Sequence, residues 1–228
     1  TRFDPQSALM RANEAGRAWC EVPRECFDAL SAAYDAYELT DHLFDPRVLR
    51  ALTAYGYDRS LPFDARSIEF PEAPVQSPHR RSLRVRTWKP RFDADRLAVR
   101  VGAEPIDLGG IGKGLAVRWA AQELAGAGSA ALVEAGGDVM ALGAGPDGDG
   151  WMIAVENPVG GDAPIAVLRL TDRAASTSST RVRSWTVGDQ QVHHIVDPRT
   201  GESAEADLRS VTVVGDDTAI AEVWSKSL

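Results

Sequence analysis

Short apolar runs, several of them alternating with polar residues, recur through most of the chain and are typical of β-strands. They predict strands at residues 83–88, 97–101, 130–134, 139–142, 151–155, 165–170, 182–187, 192–196 and 210–214. Many intervening segments are shorter than the roughly dozen residues that a parallel crossover needs. The strands are therefore predicted to pair largely antiparallel.

Apolar residues at helical spacing predict four helices, at residues 23–37, 47–55, 112–127 and 218–228. Pro23 suits a first helical position, and Asp217 can cap the last helix. The sequence shows no repeat, low-complexity segment or linker. The economical interpretation is one α+β domain over residues 1–228, with mostly antiparallel sheets and flanking helices.

A glycine-rich segment lies between a predicted strand and a predicted helix, where residues 107–115 read Asp-Leu-Gly-Gly-Ile-Gly-Lys-Gly-Leu. Glycines let backbone N–H groups approach a ligand, and a helix N-terminus favours negative charge, so this turn with Lys113 predicts a phosphate-bearing ligand. Two common phosphate motifs do not match. Gly114 follows Lys113 where a P-loop has Ser or Thr, and Leu115 stands where the dinucleotide fingerprint needs glycine. A tight turn with a surface lysine is the alternative.

Two further polar segments occur in the predicted sheet region. Gly136-Gly137-Asp138 places a carboxylate beside a glycine pair at a strand start, where a hairpin bulge with an exposed Asp is the alternative. Five hydroxyl residues in a row, at positions 176–180, either line a site with hydrogen-bond donors or form a polar loop.

The C-terminal part of the chain contains two more candidates. His193 and His194 would point to opposite faces of a strand, and a histidine can carry a proton near neutral pH. Residues 197–201, Asp-Pro-Arg-Thr-Gly, are a turn signature. Glu222 and Lys226 have the i, i+4 spacing of a simple surface ion pair, worth roughly 0.2–0.5 kcal/mol.

Charge and hydropathy exclude some classes of function. The formal net charge of −8 and the pI near 5.1 argue against nucleic acid as the main partner, which would need a basic face. The sequence has no run of about 20 apolar residues that would predict a membrane span, and no signal peptide is visible.

Five segments, in this order, resemble the ApbE family of FAD:protein FMN transferases, also called flavin transferases. They are residues 107–114, Leu132-Val-Glu-Ala-Gly-Gly-Asp138, Thr177-Ser178, His193-His-Ile-Val-Asp-Pro-Arg-Thr-Gly201 and Ser210-Val-Thr-Val-Val214. The resemblance implies an α+β fold with FAD in a flavin-nucleotide cleft and Mg²⁺ as the metal. It implies transfer of FMN through a phosphodiester bond to a Thr or Ser of an acceptor protein, with release of AMP. Some members also hydrolyse FAD to FMN and AMP.

The resemblance also assigns roles to residues. The residues implied to contact FAD are Asp107, Gly109, Gly110, Gly112, Lys113, Gly136, Gly137, Asp138, Thr177, Ser178, His194 and Ile195. Lys113 and the glycine turn would hold the pyrophosphate, and Thr177 and Ser178 would donate hydrogen bonds to the cofactor. The candidate catalytic residues are Lys113, His194 and Asp197, with His194 taking the proton of the acceptor hydroxyl.

Departures from the family pattern bear on the metal and on the nucleotide. The resemblance implies Mg²⁺ ligation by the carbonyl of Gly112, an Asp and a Thr, and the last two positions are Glu222 and Lys226 here. Glu222 can ligate Mg²⁺ at about 2.1 Å, whereas a charged lysine offers only donors. Lys226 is expected either to supply the positive charge of a metal or to pair with Glu222. Arg118 and Glu134 replace a common Asp and Asn, so binding of the adenosine end is expected to differ.

The sequence leaves three functions open: FMN transfer, hydrolysis of FAD at the same site, and FAD binding without turnover, which Lys226 favours. A nicotinamide oxidoreductase is disfavoured by Leu115. The implied partners are FAD and an acceptor protein with a Thr or Ser. The resemblance is to bacterial proteins that often act outside the cytoplasmic membrane as lipoproteins, but no signal or lipid-attachment segment is visible, so both compartments stay open. The family's usual first strands are missing and the chain ends early, as expected for a trimmed or compact member.

Overall fold

The computed structural model describes residues 2–61, 68–70, 87–181 and 183–228. The helices in chain order are α1 (Ala8–Ala15), α2 (Arg24–Leu39), α3 (Leu49–Ala54), α4 (Gly112–Leu124) and α5 (Thr218–Ser227). The strands are β1 (Cys20–Glu21), β2 (Glu69–Phe70), β3 (Arg91–Asp93), β4 (Ala98–Arg100), β5 (Ala131–Ala135), β6 (Asp138–Leu142), β7 (Trp151–Val155), β8 (Ala166–Leu170), β9 (Arg173–Ser179), β10 (Ser184–Val187), β11 (Gln190–His193), β12 (Val196–Asp197), β13 (Glu202–Ser203) and β14 (Ser210–Gly215). Over these residues, no helix is long and apolar enough to cross a membrane.

Contacts divide the chain into two compact units, each built from two separate segments. Unit 1 consists of Thr1–Leu108 and Val182–Glu205. Unit 2 consists of Gly109–Arg181 and Ala206–Leu228. The chain therefore passes from one unit to the other three times. The single domain suggested by the sequence stays a prediction.

Helix α2 packs against Trp88 in unit 1. Its buried residues Leu30, Ala33 and Tyr37 recur at helical spacing. The ring centroids of Tyr37 and Trp88 are 5.7 Å apart, and the Trp88 indole N–H donates to the carbonyl of Val101 at 2.7 Å. Strands β1, β4 and β3 form an antiparallel sheet in this unit.

The second segment of unit 1 contributes directly to another core of that unit. Strand β10 pairs antiparallel with β11 and parallel with β2. Trp185 on β10 is buried, and its indole N–H donates to the carbonyl of Tyr55 at 2.7 Å. The buried residues of this core are Ala51, Leu52, Tyr55, Tyr57, Leu61, Trp185, Val187, Val192 and Val196. Residues about 130 positions apart in sequence thus close one apolar cluster.

Unit 2 is built on a four-stranded antiparallel sheet in the order β14-β9-β6-β5. A separate antiparallel hairpin of β7 and β8 contributes alternate residues to an apolar cluster with this sheet. The buried residues of that cluster are Ala141, Leu170 and Ala175. Helices α4 and α5 also belong to this unit.

Helices α4 and α5 approach each other closely at Gly114. A Cβ atom at this position would lie 2.6 Å from the Cα of Ala219 and 2.7 Å from the carbonyl oxygen of Thr218. Helix α5 begins as predicted, because the Asp217 carboxylate accepts from the backbone N–H of Ile220 at 2.9 Å. Gly114 is therefore required by helix packing, whatever ligand the glycine turn binds.

The α+β class and the mainly antiparallel pairing are confirmed, but two predicted strands and one segment not predicted as a strand need comment. The hydroxyl run was not predicted as a strand, but Arg173–Ser179 forms β9 in the interior of the unit 2 sheet. The predicted strand at residues 192–196 is interrupted at His194, between β11 and β12. Most of the predicted strand at residues 83–88 lies outside the described residues.

Candidate active site

Lys113 lies in the first turn of α4, and its ammonium group is held by two carboxylates of unit 2. It donates to Asp138, the first residue of β6, and to Oε1 of Glu222 on α5 at 2.9 Å. Both carboxylates are fully buried, whereas 27% of the Lys113 side chain is exposed. The ammonium is a compact charge with three donors, so this arrangement can present positive charge to an anionic ligand.

Glu222 uses both carboxylate oxygens inside the protein. Oε2 accepts from the backbone N–H of Gly114 at 2.7 Å. Oε1 accepts from Lys113 and, at 3.0 Å, from Lys226 one turn further along α5. The interpretation of Glu222 and Lys226 as a surface ion pair is wrong, because Glu222 has no exposed surface and 14% of the Lys226 side chain is exposed. The pairing of these two residues is confirmed.

Burial and neighbouring charges act in opposite directions on these four ionisable side chains. Burial lowers the pKa of Lys113, but the charges of Glu222 and Asp138 outweigh it, so that pKa is raised. Burial, together with the Lys113 charge, lowers the pKa of Lys226. Burial and the Glu222 charge raise the pKa of Asp138. Burial opposes ionisation of Glu222 as well, but Lys226, Lys113 and the Gly114 N–H outweigh it and lower its pKa.

Serine hydroxyls connect the carboxylates to the sheet. Ser176 on β9 donates to Oδ1 of Asp138. The hydroxyl oxygens of Ser178 and Ser225 are 2.6 Å apart, and Ser225 donates to the carbonyl of Glu222 at 2.8 Å. Ser176 and Ser225 were not among the predicted site residues. The spacing of three between Glu222 and Ser225 on one helix was the signal that could have indicated Ser225.

The glycine pair lies in the turn between β5 and β6, close to Lys113. Gly136 and Gly137 have φ values of 56° and 91°, which favour glycine. A Cβ at Gly136 would lie 3.6 Å from Cδ of Lys113, and the carbonyl of Gly137 accepts from the N–H of Thr177 at 2.9 Å. The Thr177 hydroxyl lies on the other face of β9 from Ser176, 2.9 Å from that of Thr212. Unit 2 thus brings together the predicted residues of three sequence segments.

The glycine turn itself is partly occupied by protein groups. Gly109 and Gly110 form the turn before α4, which begins at Gly112. A Cβ at Gly112 would meet open space, in contrast to Gly114. The N–H of Gly114 already has a carboxylate partner, so an anion at this helix end would depend on the earlier residues of the turn.

The remaining predicted residues, Asp107, His194, Ile195 and Asp197, belong to unit 1. Asp107 is buried, and its carboxylate lies 3.5 Å from the guanidinium of Arg2. His194 is half-buried, and its backbone N–H donates to the carbonyl of Arg183 at 3.3 Å. Sequence reasoning placed His194 in a strand, whereas it lies in a bend.

Asp197 forms the turn that the sequence predicted. Its carbonyl accepts from the N–H groups of Thr200 and Gly201 at 3.2 and 2.7 Å. Its carboxylate accepts from the N–H and the guanidinium of Arg199. The charge and hydrogen bonds of Asp197 raise the pKa of Arg199. The catalytic role of Asp197 stays a prediction.

The two histidines have different environments. Nε2 of His193 lies 2.9 Å from the carbonyl of Ala204, and Nδ1 accepts from the N–H of Ile195 at 3.3 Å. These partners fit a neutral ring that carries its proton on Nε2. Burial lowers the pKa of His193, in agreement with that form. His193 is therefore a structural residue, and His194 remains the candidate for proton transfer.

Comparison with known proteins identifies the family. The family model of ApbE matches residues 1–228. The chain belongs to the ApbE family. Over 221 residues it is 29% identical to the FAD:protein FMN transferase of Treponema pallidum, covering 91% of this chain and 60% of that protein. It is also 29% identical over 125 residues to the Salmonella typhimurium FAD:protein FMN transferase, where the match covers 54% of this chain and only 36% of that protein.

Solved structures of ApbE proteins share the fold. The ApbE protein of Thermotoga maritima superposes with a TM-score of 0.80 at 32% identity, covering 98% of this chain and 71% of that chain. The flavin transferase ApbE of Vibrio cholerae superposes with a TM-score of 0.76 at 22% identity, covering 100% and 71% of the two chains. The predicted ApbE-like α+β fold is therefore confirmed.

Arg118 and Glu134, which replace a common Asp and Asn of the ApbE pattern, both have partners in unit 2. Arg118 on α4 pairs with Asp217, the residue that caps α5. Glu134 on β5 accepts from the N–H of Gly137 at 3.0 Å. Arg118 thus joins α4 to the start of α5, and Glu134 stabilises the glycine turn beside Lys113.

The groups around Glu222 do not fit the Mg²⁺ ion that the resemblance implies at this position. Mg²⁺ needs oxygen ligands at about 2.0–2.1 Å in near-octahedral geometry. The carboxylate of Glu222 is instead surrounded by two ammonium groups and a backbone N–H. Within the described ranges, no group of three or more His, Cys, Asp or Glu side chains is placed to hold a metal ion.

Proposed function

We propose that this chain binds FAD and transfers its FMN half to a Thr or Ser hydroxyl of an acceptor protein, with release of AMP. Membership of the ApbE family supports this proposal, as does similarity to a protein named FAD:protein FMN transferase. The structural observation that carries it is the ammonium of Lys113, fixed between Asp138 and Glu222 at the start of α4 with part of its side chain exposed. This geometry suits the charge of a diphosphate.

The reaction is a phosphoryl-group transfer in which the acceptor supplies the nucleophile. The acceptor oxygen forms a bond to the phosphorus of the FMN half, and the bond from that phosphorus to the bridging oxygen breaks. AMP leaves with the bridging oxygen, and the hydroxyl proton passes to a base. Catalysis of such a step depends mainly on positioning and on neutralising developing charge. No covalent bond to this chain is required.

Lys113 is the proposed electrostatic group. Its raised pKa keeps the ammonium charged at neutral pH, since Glu222 and Asp138 outweigh the effect of burial. The two carboxylates also hold the side chain in place, so little reorganisation is needed when charge develops on the phosphate oxygens. Gly136 lies beside the stem of Lys113, since a Cβ there would be 3.6 Å from Cδ of that lysine.

His194 is the proposed proton acceptor for the acceptor hydroxyl, a role that comes from the family resemblance. An imidazole can take a proton near neutral pH. The ring of His193 is held in its neutral form by Ala204 and Ile195, so the role is assigned to His194. Replacement of His194 by Ala is expected to reduce the rate of transfer by more than it weakens FAD binding.

The test measures AMP and peptide-bound flavin together. The protein is incubated with FAD and a library of threonine-bearing peptides, with and without Mg²⁺. AMP is measured by chromatography, and covalent flavin by fluorescence of the separated peptides. We expect equal amounts of both products, and neither flavin-labelled peptide nor excess AMP when Thr is replaced by Ala. Lys113→Met should lower the rate on the order of 10²–10³-fold, as for loss of one oxyanion-stabilising donor.

The matched control is Lys89→Met, because Lys89 is an exposed lysine that is not among the predicted site residues. It should transfer FMN at the wild-type rate. Release of AMP without labelled peptide would show that the chain hydrolyses FAD and does not transfer FMN. Tight FAD binding without AMP under either metal condition would instead support a flavin-binding protein without turnover, and would overturn the proposal.

A further inference from the structure

Lysine is rare in this chain and is concentrated at one place. The sequence contains three lysines among 25 basic residues, and two of them, Lys113 and Lys226, donate to the same oxygen of Glu222. An ammonium is a compact, strongly hydrated point charge, whereas a guanidinium is planar and forked. Two compact cations on one buried carboxylate are the kind of charge arrangement that a divalent ion would otherwise provide.

The distances explain why a metal and Lys226 compete for the same carboxylate. The nitrogens of Lys113 and Lys226 lie 2.9 and 3.0 Å from Oε1 of Glu222. A Mg²⁺ ion bound to this oxygen at about 2.1 Å would lie next to both positive groups. Lys113 has a second carboxylate, Asp138, and would keep a partner without Glu222. Among the described residues, Glu222 is the acceptor found for the Lys226 ammonium.

The charges of the cluster balance without a metal. Asp138 and Glu222 supply two carboxylates, and Lys113 and Lys226 supply two ammonium groups. All four side chains have less than a third of their surface exposed. Adding a divalent cation would leave two uncompensated positive charges at low local dielectric, which is strongly unfavourable until an anion binds.

We infer that the Lys226 ammonium takes the place of the divalent cation in this chain, so that Lys113 and Lys226 together bind a diphosphate without metal. This inference rests on the proposed function for the identity of the ligand. Exclusion of the metal is independent of the proposed function, because it depends only on Glu222, Lys113 and Lys226. In this chain, positive charge would therefore reach the phosphates from two lysine side chains.

The first test titrates Mn²⁺, a paramagnetic substitute for Mg²⁺, and follows free Mn²⁺ by electron paramagnetic resonance. Wild-type protein should take up no Mn²⁺ at up to about 1 mM, within the range of weak protein sites. Lys226→Thr, which removes the ammonium and adds a hydroxyl oxygen, should take up about one Mn²⁺ per chain. Lys226→Met removes the charge without adding an oxygen and should bind Mn²⁺ more weakly. Lys89→Thr is the matched control and should behave as wild type.

The second test measures FAD binding by quenching of flavin fluorescence, in EDTA and in Mg²⁺. Wild-type affinity should be the same in both conditions, whereas Lys226→Thr should bind about tenfold more weakly in EDTA and recover in Mg²⁺. Thermal unfolding of each variant checks that it is folded. Uptake of one Mn²⁺ by wild-type protein, or no uptake by Lys226→Thr, would overturn the inference. Failure of FAD binding in every sample would overturn the proposed function, while the Mn²⁺ titration would still decide the role of Lys226.

Discussion

At the scale of single residues, Glu222 determines the electrostatics of the candidate site. It is fully buried, and it accepts from Lys113, Lys226 and the N–H of Gly114. A buried carboxylate is tolerated only when such partners replace its lost hydration. The single side chain of Glu222 consequently fixes two lysines and the start of α4.

Replacing Glu222 by Gln should therefore strongly destabilise the fold. The amide keeps the shape of the side chain but leaves the mostly buried Lys226 ammonium without its carboxylate. Loss of one partner of a buried pair lowers the free energy of unfolding by about 3–5 kcal/mol. Urea denaturation followed by tryptophan fluorescence measures this difference.

The control is the double variant Glu222→Gln/Lys226→Met, which removes both charges. It should recover a large part of the lost stability, because replacing a whole buried pair by neutral groups is often close to neutral. If the double variant is as unstable as the sum of the two single variants, the two side chains are not energetically coupled.

The sequence was sufficient to pair Glu222 with Lys226, because helical periodicity places residues i and i+4 side by side. It could not reveal that the pair is buried. Burial depends on contacts with Lys113 and Gly114, more than 100 positions away in the chain. The same applies to Ser176, whose carboxylate partner Asp138 lies 38 positions earlier.

At the scale of elements, the contact of α4 with α5 shows how one glycine serves both packing and electrostatics. Gly114 allows the two backbones to approach, and this approach brings its N–H within 2.7 Å of Glu222. A glycine inside a helix normally lowers helix stability by roughly 1 kcal/mol relative to alanine. Here the close packing of the two helices outweighs that loss.

We therefore expect Gly114→Ala to destabilise the protein in spite of alanine's higher helix propensity. The added Cβ would lie 2.6 Å from Cα of Ala219, which is backbone and cannot rotate away. Overpacking of this kind lowers the free energy of unfolding by about 1–3 kcal/mol. Gly112→Ala is the matched control, because a Cβ there meets nothing within 4 Å, and its stability should be nearly unchanged. Equal unfolding midpoints for the two variants would contradict this account.

Strand β9 illustrates an element that the sequence did not predict. Its run of Ser and Thr lacks the apolar alternation of a strand, and these residues are equally common in turns. The alternation exists in polar form: Ser176 and Ser178 face Ser225 of α5, and Thr177 faces away toward Thr212. The inward face is satisfied by hydroxyl and carboxylate partners supplied by other elements, which a local pattern cannot reveal.

At the scale of the whole molecule, the two units are interleaved in sequence. Strand β10 and Trp185 come from the second segment of unit 1, yet they close the core around Tyr55 of its first segment. The sequence predicted mainly antiparallel pairing from the short segments that connect its short strands. It did not predict the parallel pairing of β2 with β10, because that contact joins distant segments.

A fragment containing residues 1–108 should consequently be only partly folded. Helix α3 contributes Ala51 and Leu52 to the core that needs Trp185, so its amide protons should lose protection from hydrogen exchange. Helix α2 should keep more protection, since Tyr37 packs against Trp88 inside the fragment. Amide exchange followed by nuclear magnetic resonance, with the full chain as reference, measures both. Native protection of α3 in the fragment would show that the second segment is dispensable for this core.

The order of these segments also has a consequence during synthesis on the ribosome. The core around Tyr55 cannot close until residues up to about 196 have emerged, because Val196 is among its members. At roughly 5–20 residues per second, the gap after Tyr55 corresponds to about 7–28 seconds during which Leu52, Tyr55 and Tyr57 lack their native cover. Slow translation of the middle of this chain would therefore prolong its exposure to chaperones and proteases, and fast translation should improve its yield.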